Sequence, residues 1–75
     1  MTTVCHLEPD QSAQISRLGG PPGLMRRLVA LGLRPGAAIR LVRRAPLGGA
    51  FQIALGDSFI ALRAQEAGQI HLELS

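Results

Sequence analysis

The stretch of sequence that decides the fold is residues 24–36, which read LMRRLVALGLRPG. Its leucines follow the i, i+4 and i+7 spacing of one face of a helix: Leu24, Leu28 and Leu31. Arg26 and Arg27 fall outside this face, where we expect them to contact solvent. The pattern therefore predicts an amphipathic helix that packs its leucine face against the rest of the protein.

The end of this helix can also be predicted. Gly32 comes just after the last turn, where a left-handed backbone suits glycine and lets the next residue fold back on the helix. We therefore expect Leu33 to pack on Leu28. Pro35-Gly36 then predicts a tight turn into a strand, with a positive φ angle at Gly36.

Outside the helix the apolar residues recur with the period of two that is typical of strands. The predicted strands cover residues 13–18, 39–44, 51–55, 59–63 and 70–74, and residues 64–67 predict one short helical turn. Strands so short and so close together favour a small, strongly bent barrel, because closure protects strand edges. We predict a mostly β, SH3-like barrel of about five strands. Residues 1–75 form its single domain, with one α-helix inserted after the first strand and a short helical turn before the last.

Three further expectations concern where particular segments lie. Residues 1–5 carry no clear pattern, so we expect them to be loose. The strand at residues 59–63 is apolar on both faces, which favours a central position in the sheet. Phe51 and Phe59 are the two aromatic residues of the chain, and we predict both to lie in the core.

The composition indicates a small globular protein in a reducing compartment. Of its 75 residues, 47% are hydrophobic, and the net charge is +3 with every basic residue an arginine. The single Cys5 excludes an internal disulfide. The sequence has no apolar run of the roughly 20 residues that a membrane-spanning helix needs, and its first residues do not follow a secretory pattern. We therefore expect a cytoplasmic protein that does not itself insert into a membrane.

The sequence contains no arrangement that is typical of catalysis. A nucleophile needs a base and an orienting group, and three serines have no histidine near them in sequence: Ser12, Ser16 and Ser58. The acidic residues also lack a spacing that would bring two carboxylates into one cleft. We therefore predict that the protein is not an enzyme.

Two pairs of residues could contribute metal ligands, but neither has the spacing of a known metal motif. Cys5 and His6 are adjacent in a segment that we expect to be mobile. His71 and Glu73 share one face of the last predicted strand, which we interpret as the solvent face of an edge strand. We therefore predict no cofactor, although a surface histidine could bind an adventitious divalent metal or bridge two chains through one.

Nucleic-acid binding would require a basic face together with exposed aromatic rings or a groove-reading helix. Five arginines could form a basic rim: Arg26, Arg27, Arg40, Arg43 and Arg44. Because both phenylalanines are predicted to be buried, base stacking has no support. We interpret the arginines as a solvated rim and do not expect a nucleic-acid partner, but an RNA-binding small barrel stays an alternative.

An exposed apolar side chain is the stronger sign of function. Leu47 lies in the segment Pro46-Leu47-Gly48-Gly49, which predicts the connection of a hairpin. A leucine at a hairpin tip is hard to pack, and exposed apolar patches often mark contacts with other proteins. The alternative, that Leu47 folds back over the mouth of the barrel, stays equally open.

Several of these segments together resemble the FeoA family, whose members are small cytoplasmic components of bacterial ferrous iron uptake. The resemblance covers residues 7–74. It is carried by RLVALGLRPG at residues 27–36, RAPLGG at 44–49, IALR at 60–63 with Glu66-Ala67, and residues 70–74. The chain departs from the family pattern at Asp10, where a glycine usually follows Pro9, but aspartate tolerates a left-handed turn.

The resemblance implies an SH3-like barrel with no catalytic or metal-ligand motif of its own. It also implies a partner, FeoB, which is a membrane permease with a cytoplasmic GTP-binding domain. The protein would then associate with the membrane through FeoB. We predict Leu47, Arg43 and Arg44 as contacts with this partner, and Met25 and Arg26 as a second choice.

Other functions and assemblies stay open beside this interpretation. A sensor or carrier of iron or zinc would use Cys5, His6 and His71. The small core also leaves room for a homodimer, because self-association would add buried surface that a short chain lacks.

Overall fold

The computed structural model describes residues 2–46 and 49–74. Along the chain the elements are β1 (Thr2–Thr3), a 3₁₀ turn (Val4–His6), β2 (Ser12–Leu18), α1 (Pro22–Ala30), β3 (Ala38–Arg44), β4 (Phe51–Leu55), β5 (Ser58–Leu62), α2 (Ala64–Ala67) and β6 (Ile70–Leu74). Within these ranges, no helix has both the length and the apolar character needed to span a bilayer.

The described strands form one sheet in the order β1-β6-β2-β3-β4-β5, and every neighbouring pair is antiparallel. The register shifts between Ile15 and Arg17 on β2, and between Leu41 and Arg43 on β3. An extra residue in a strand bends it and increases its twist, so both strands curve around the core. The structure confirms the predicted mostly β, SH3-like barrel with an inserted helix, and β1 adds a strand to the five predicted.

The core is almost entirely aliphatic. Its fully buried side chains come from the strands and from the segments that connect them: Val4, Leu7, Leu28, Leu33, Leu41, Ile53, Leu62 and Ile70. Burying one such side chain stabilises a protein by about 1.5–3 kcal/mol. The N-terminal segment and the end of α1 therefore contribute to stability alongside the strands.

The end of α1 has the predicted geometry. Gly32 has a φ angle of +96°, and its N–H donates to the carbonyl of Val29 at 2.9 Å. The N–H of Leu33 donates to the carbonyl of Leu28 at 3.1 Å. Together these two bonds form a Schellman motif. Leu28 and Leu33 are both fully buried, so the same turn ends the helix and returns the chain to the core.

The predicted turn after the helix is also confirmed. Gly36 has a φ angle of +92°, and the N–H of Ala37 donates to the carbonyl of Arg34 at 3.1 Å. The N–H of Gly36 donates to the carbonyl of Ile15 at 2.8 Å. The turn therefore joins β2 directly and aligns β3 beside it.

The expectation that residues 1–5 are loose is wrong for Thr2 to Cys5. Thr2 and Thr3 pair with Leu72 and His71 on β6, and Val4 is fully buried in the core. The pairing joins the two ends of the sequence, so a local pattern carries no sign of it.

Three further predictions, about one strand and two side chains, are also wrong. The strand at residues 59–63 corresponds to β5, which is an edge strand and not a central one. Its Phe59 is 63% exposed, because the side chain lies on the outer face of this edge. Leu31 is 36% exposed, because α1 ends at Ala30 and the i+7 position falls beyond its last turn.

Two glycines of the α1 segment should respond in opposite ways to substitution by alanine. At Gly32 a Cβ atom would meet a positive φ angle and lie 3.2 Å from Cδ2 of Leu55, so Gly32→Ala should destabilise the protein by about 1–2 kcal/mol. At Gly23, in the first turn of α1, a Cβ atom would have no heavy atom within 4 Å among the described residues. Gly23→Ala should stabilise by about 0.5 kcal/mol because it restricts the unfolded chain. Urea unfolding of both variants measures these changes, and equal effects would contradict the assignment of Gly32 as the helix stop.

Candidate partner-binding surface

No cavity is found within the part of the chain that the structure describes. The side chains on which a function can be argued are therefore the arginines and the exposed apolar residues of the surface. Leu47, the first predicted contact, lies outside the described residues.

Of the two arginines at the end of β3, Arg44 makes contacts within the protein. Its guanidinium lies 5.6 Å from the centroid of the Phe51 ring, a distance at which a cation and an aromatic face attract each other. Nη2 of Arg44 also donates to the backbone carbonyl of Leu7. Both arginines are exposed, and Arg43 lies opposite Gln52. Of these two predicted contacts, Arg43 is therefore the one whose side chain is better placed to reach a partner.

The outer face of α1 carries the second predicted contact surface. Leu28 is fully buried and Leu24 packs partly against the core, which leaves the other side of the helix to solvent. On that side Met25 is 36% exposed and Val29 is 55% exposed. These two are i and i+4 neighbours on the helix surface, and Arg26 beside them is exposed. We call Met25, Arg26 and Val29 the α1 patch.

Arg27, also on α1, is held in place by Glu66, which lies much later in the sequence. Nε of Arg27 lies 2.6 Å from Oε2 of Glu66 on α2. The second oxygen of Glu66, Oε1, accepts a hydrogen bond from the backbone N–H of Arg63 at 2.9 Å. Glu66 is only 4% exposed, so both oxygens of a buried carboxylate are satisfied and α1 is tied to α2.

The same contacts determine the ionisation of Glu66. The hydrogen bond from the Arg63 backbone holds the pKa of Glu66 below its ordinary value, and the Arg27 guanidinium acts in the same direction. Burial opposes both, because it disfavours the charged form. The net direction is downward, and Glu66 is therefore a carboxylate at neutral pH.

The side chains of the four candidate metal ligands, Cys5, His6, His71 and Glu73, have different surroundings. Sγ of Cys5 donates to the carbonyl of Ala64 at 3.5 Å. Nδ1 of His6 lies 3.2 Å from Oγ1 of Thr3. Nδ1 of His71 is buried and has no hydrogen-bond partner in the described part of the chain. Glu73 is exposed.

These residues are not assembled into a metal site. Among residues 2–46 and 49–74, no three His, Cys, Asp or Glu side chains are grouped so that they could hold a metal ion. Two expectations about their surroundings are wrong. β6 lies between β1 and β2, so His71 and Glu73 are not on an edge strand. Cys5 and His6 belong to the ordered 3₁₀ turn and not to a mobile segment.

Glu66, Arg27 and Arg44 have roles that the sequence pattern did not reveal. Arg27 and Glu66 are 39 residues apart in sequence, and Arg44 and Leu7 are 37 residues apart. The available signal was indirect, since Arg27, Arg44 and Glu66 all lie within the segments that carry the family resemblance. Their long-range partners could be read only from the structure.

Comparison with known families decides the classification. The model of the FeoA domain matches residues 2–74. The chain belongs to the FeoA family. No curated protein matches the chain significantly.

Solved structures agree with this classification. Iron(II) transport protein A from Clostridium thermocellum superposes on this FeoA domain with a TM-score of 0.91 at 36% identity, over 97% of this chain and 45% of that chain. FeoA from Chlorobium tepidum gives a TM-score of 0.88 at 27% identity, over 97% of this chain and 70% of that one. This FeoA domain therefore spans less than half of the Clostridium thermocellum chain.

Two further structures extend the comparison. FeoA from Stenotrophomonas maltophilia, complexed with zinc and described as an SH3 domain protein, gives a TM-score of 0.84 at 26% identity, over 97% of this chain and 91% of that one. A manganese-dependent transcriptional repressor complexed with manganese gives a TM-score of 0.91 at 14% identity, over 99% of this chain and 36% of that one. At that identity the repressor shares the fold alone with this FeoA domain.

Glu66→Gln should lower the free energy of unfolding at pH 7 by about 1–3 kcal/mol, because both oxygens of Glu66 accept hydrogen bonds, whereas an amide has only one acceptor oxygen and no charge. The folded-state pKa of Glu66 lies below the unfolded value. The stabilisation is therefore complete above the unfolded pKa and is lost as the pH falls through the folded one. Urea unfolding at pH 7 and at lower pH should show the difference between wild type and variant shrinking with acid. The exposed Glu73→Gln serves as control and should stay within about 0.5 kcal/mol of wild type at both pH values.

Arg44→Ala should destabilise the protein by about 2 kcal/mol, since it removes a charged hydrogen bond to a backbone carbonyl and a cation–π contact. Its neighbour Arg43→Ala removes the same charge from an exposed site and should change stability by less than about 0.5 kcal/mol. Thermal unfolding of Arg44→Ala and Arg43→Ala measures both changes in stability. Equal effects on both variants would show that Arg44 does not support the fold.

Proposed function

We propose that this protein is an accessory protein of bacterial ferrous iron uptake that binds the cytoplasmic part of a FeoB-type permease and supports its assembly or activity. The observation that carries the proposal is the match of the FeoA domain model over residues 2–74. Two similar structures support the connection with iron. One is named iron(II) transport protein A, and the description of the other raises a role as a ferrous iron transport activating factor.

The protein acts in this proposal by binding and not by catalysis, and it does so in the cytoplasm. The described residues offer surface side chains of the kind that recognise another protein. Partner surfaces typically combine a few exposed apolar side chains with arginines at or near the centre of contact. The α1 patch has this composition, with Met25 and Val29 as its apolar members and Arg26 as its charge.

We place the main contact with the permease on the α1 patch. Its two apolar side chains are one helical turn apart, so they can enter a single shallow groove of the partner. Arg26 then favours a groove that has carboxylates at its rim, and the net charge of +3 favours the same acidic surface at longer range. Arg43 at the end of β3 is kept as a second contact, together with Leu47, which is a candidate from the sequence alone.

The experiment measures the binding of the purified protein to the cytoplasmic part of a FeoB-type permease from the same source. Met25→Glu combined with Val29→Glu places two acids on the α1 patch and should weaken binding at least tenfold, because it removes apolar contact and reverses the local charge. Arg43→Glu tests the second contact and should weaken binding less. Biolayer interferometry at a fixed salt concentration gives both affinities.

The matched control adds an acid elsewhere. Gln65 is exposed on α2, and Gln65→Glu should bind like wild type. Circular dichroism verifies that each variant is folded. If the Met25→Glu/Val29→Glu protein binds normally and Arg43→Glu loses affinity, the main contact lies at the end of β3 and not on the α1 patch. A wild-type protein that does not bind the permease at all would overturn the proposed function.

A further inference from the structure

Within the described sheet, the edge strand β5 has a neighbouring strand on one side only. β5 pairs with β4 along its whole length, from Ser58 opposite Leu55 to Leu62 opposite Phe51. It is the last strand of the described sheet. The backbone hydrogen bonds between the described elements do not involve residues 58–62 beyond this pairing.

The turn before β5 determines which backbone groups point away from the sheet. Gly56 and Asp57 form a two-residue connection in which Gly56 has a φ angle of +59°. In such a hairpin the residues that flank the turn exchange hydrogen bonds, and bonded pairs then alternate along the strands. Ser58, Ile60 and Leu62 therefore bond to β4. The N–H and C=O groups of Phe59 and Ala61 point to the free edge.

The side chains of β5 do not protect this edge. Edge strands usually carry charged residues or proline, because an unpaired ladder invites another strand. Residues 58–62 read SFIAL and contain neither. Phe59 is 63% exposed and Ala61 is also exposed, on the same outer face. β5 therefore offers unpaired backbone groups and apolar surface at the same place.

We propose that β5 pairs with β5 of a second copy of this chain, antiparallel and about a two-fold axis at Ile60. In this register Ile60 lies opposite Ile60 of the second copy, and Phe59 lies opposite its Ala61. Phe59 and Ala61 are the residues with outward backbone groups, so the two pairs that they form are hydrogen-bonded pairs. Four backbone hydrogen bonds join the strands.

The charges that flank β5 support this register and the choice of a second copy as occupant. Asp57 precedes the strand, Arg63 follows it, and both are exposed. Pairing centred on Ile60 brings Asp57 opposite Arg63 of the second copy, and the two-fold axis repeats this opposite-charge pair at the other end. Shifting the centre to Phe59 or Ala61 keeps the outward groups bonded but separates these charges. A self-complementary patch of this kind is what a two-fold interface requires.

The interface also covers the exposed aromatic ring. Phe59 packs beside Ala61 of the second copy, and the two phenylalanines are diagonal neighbours on one face, within reach of each other. The contact involves few residues, so its area is below the roughly 1,200 Å² of stable complexes. We therefore expect a dimer that dissociates on dilution.

The first measurement follows self-association of the wild-type protein. Sedimentation velocity from roughly 10 μM to 1 mM covers the range in which weak dimers form, and it should show a shift from monomer to dimer. Hydrogen exchange followed by NMR should show protection of the Phe59 and Ala61 amides that increases with concentration. A reducing agent is present throughout, so that Cys5 does not link chains.

Charge exchange tests the register. Asp57→Arg places arginine opposite Arg63 of the second copy and should weaken dimerisation about tenfold, and Arg63→Asp should do the same with two acids. The combined variant Asp57→Arg/Arg63→Asp restores opposite charges and should recover the wild-type constant within about threefold. Phe59→Lys should abolish dimerisation, while Ser12→Lys, an exposed change on β2, should leave it unchanged.

The outcomes separate the alternatives. A protein that stays monomeric to 1 mM, a dimer that Phe59→Lys leaves intact, or no recovery in the combined variant overturns the proposal. Protection of Phe59 and Ala61 that appears only when a permease fragment is added would assign the edge to that partner and also overturn self-pairing. Because this measurement uses no permease, its result is independent of the proposed function.

Discussion

The buried carboxylate of Glu66 holds together the part of the protein that the sheet alone cannot organise. The strands are fixed by their own hydrogen bonds, but α1 has one fully buried side chain within its bounds, Leu28. Glu66 accepts from Arg27 on α1 and from the backbone at the start of α2. Since a buried carboxylate must have its hydrogen bonds satisfied, the two helices can occupy only a narrow range of relative positions.

This constraint has a consequence for the surface. With Arg27 turned towards Glu66, the remaining solvent-facing positions of α1 present Met25, Arg26 and Val29 together. The position of the α1 patch therefore depends on the ion pair between Arg27 and Glu66. Arg44 acts in a similar way at the end of β3, where its contacts with Phe51 and Leu7 connect the sheet to the N-terminal segment.

Local physics made most of the elements predictable. The leucine spacing, the glycine stop and the alternation of residues in the strands are properties of neighbouring residues, and α1, its Schellman end and the strands β2 to β6 followed from them. The 3₁₀ turn, β1 and the edge position of β5 depend on contacts between distant parts of the chain. The same holds for the candidate site. Met25 and Arg26 were predicted from helical geometry, whereas the internal roles of Arg44 and Glu66 needed the fold.

Phe59 shows most clearly why burial cannot be inferred from residue type alone. Its strand is apolar on both faces, which is typical of a strand that is covered on both sides. The structure places that strand at an edge of the described sheet and leaves Phe59, on its outer face, 63% exposed.

The pairing of Thr2 with Leu72 has a consequence for how such a unit can be combined with others. Because the first and last described strands are antiparallel neighbours, the start of β1 lies beside the end of β6, and the paired Cα atoms of these strands are about 5 Å apart. A polypeptide can therefore carry this barrel as an insert or an appended module without stretching its own backbone to accommodate it. The manganese-dependent repressor is an example of such a combination, since the matching fold covers 36% of its chain.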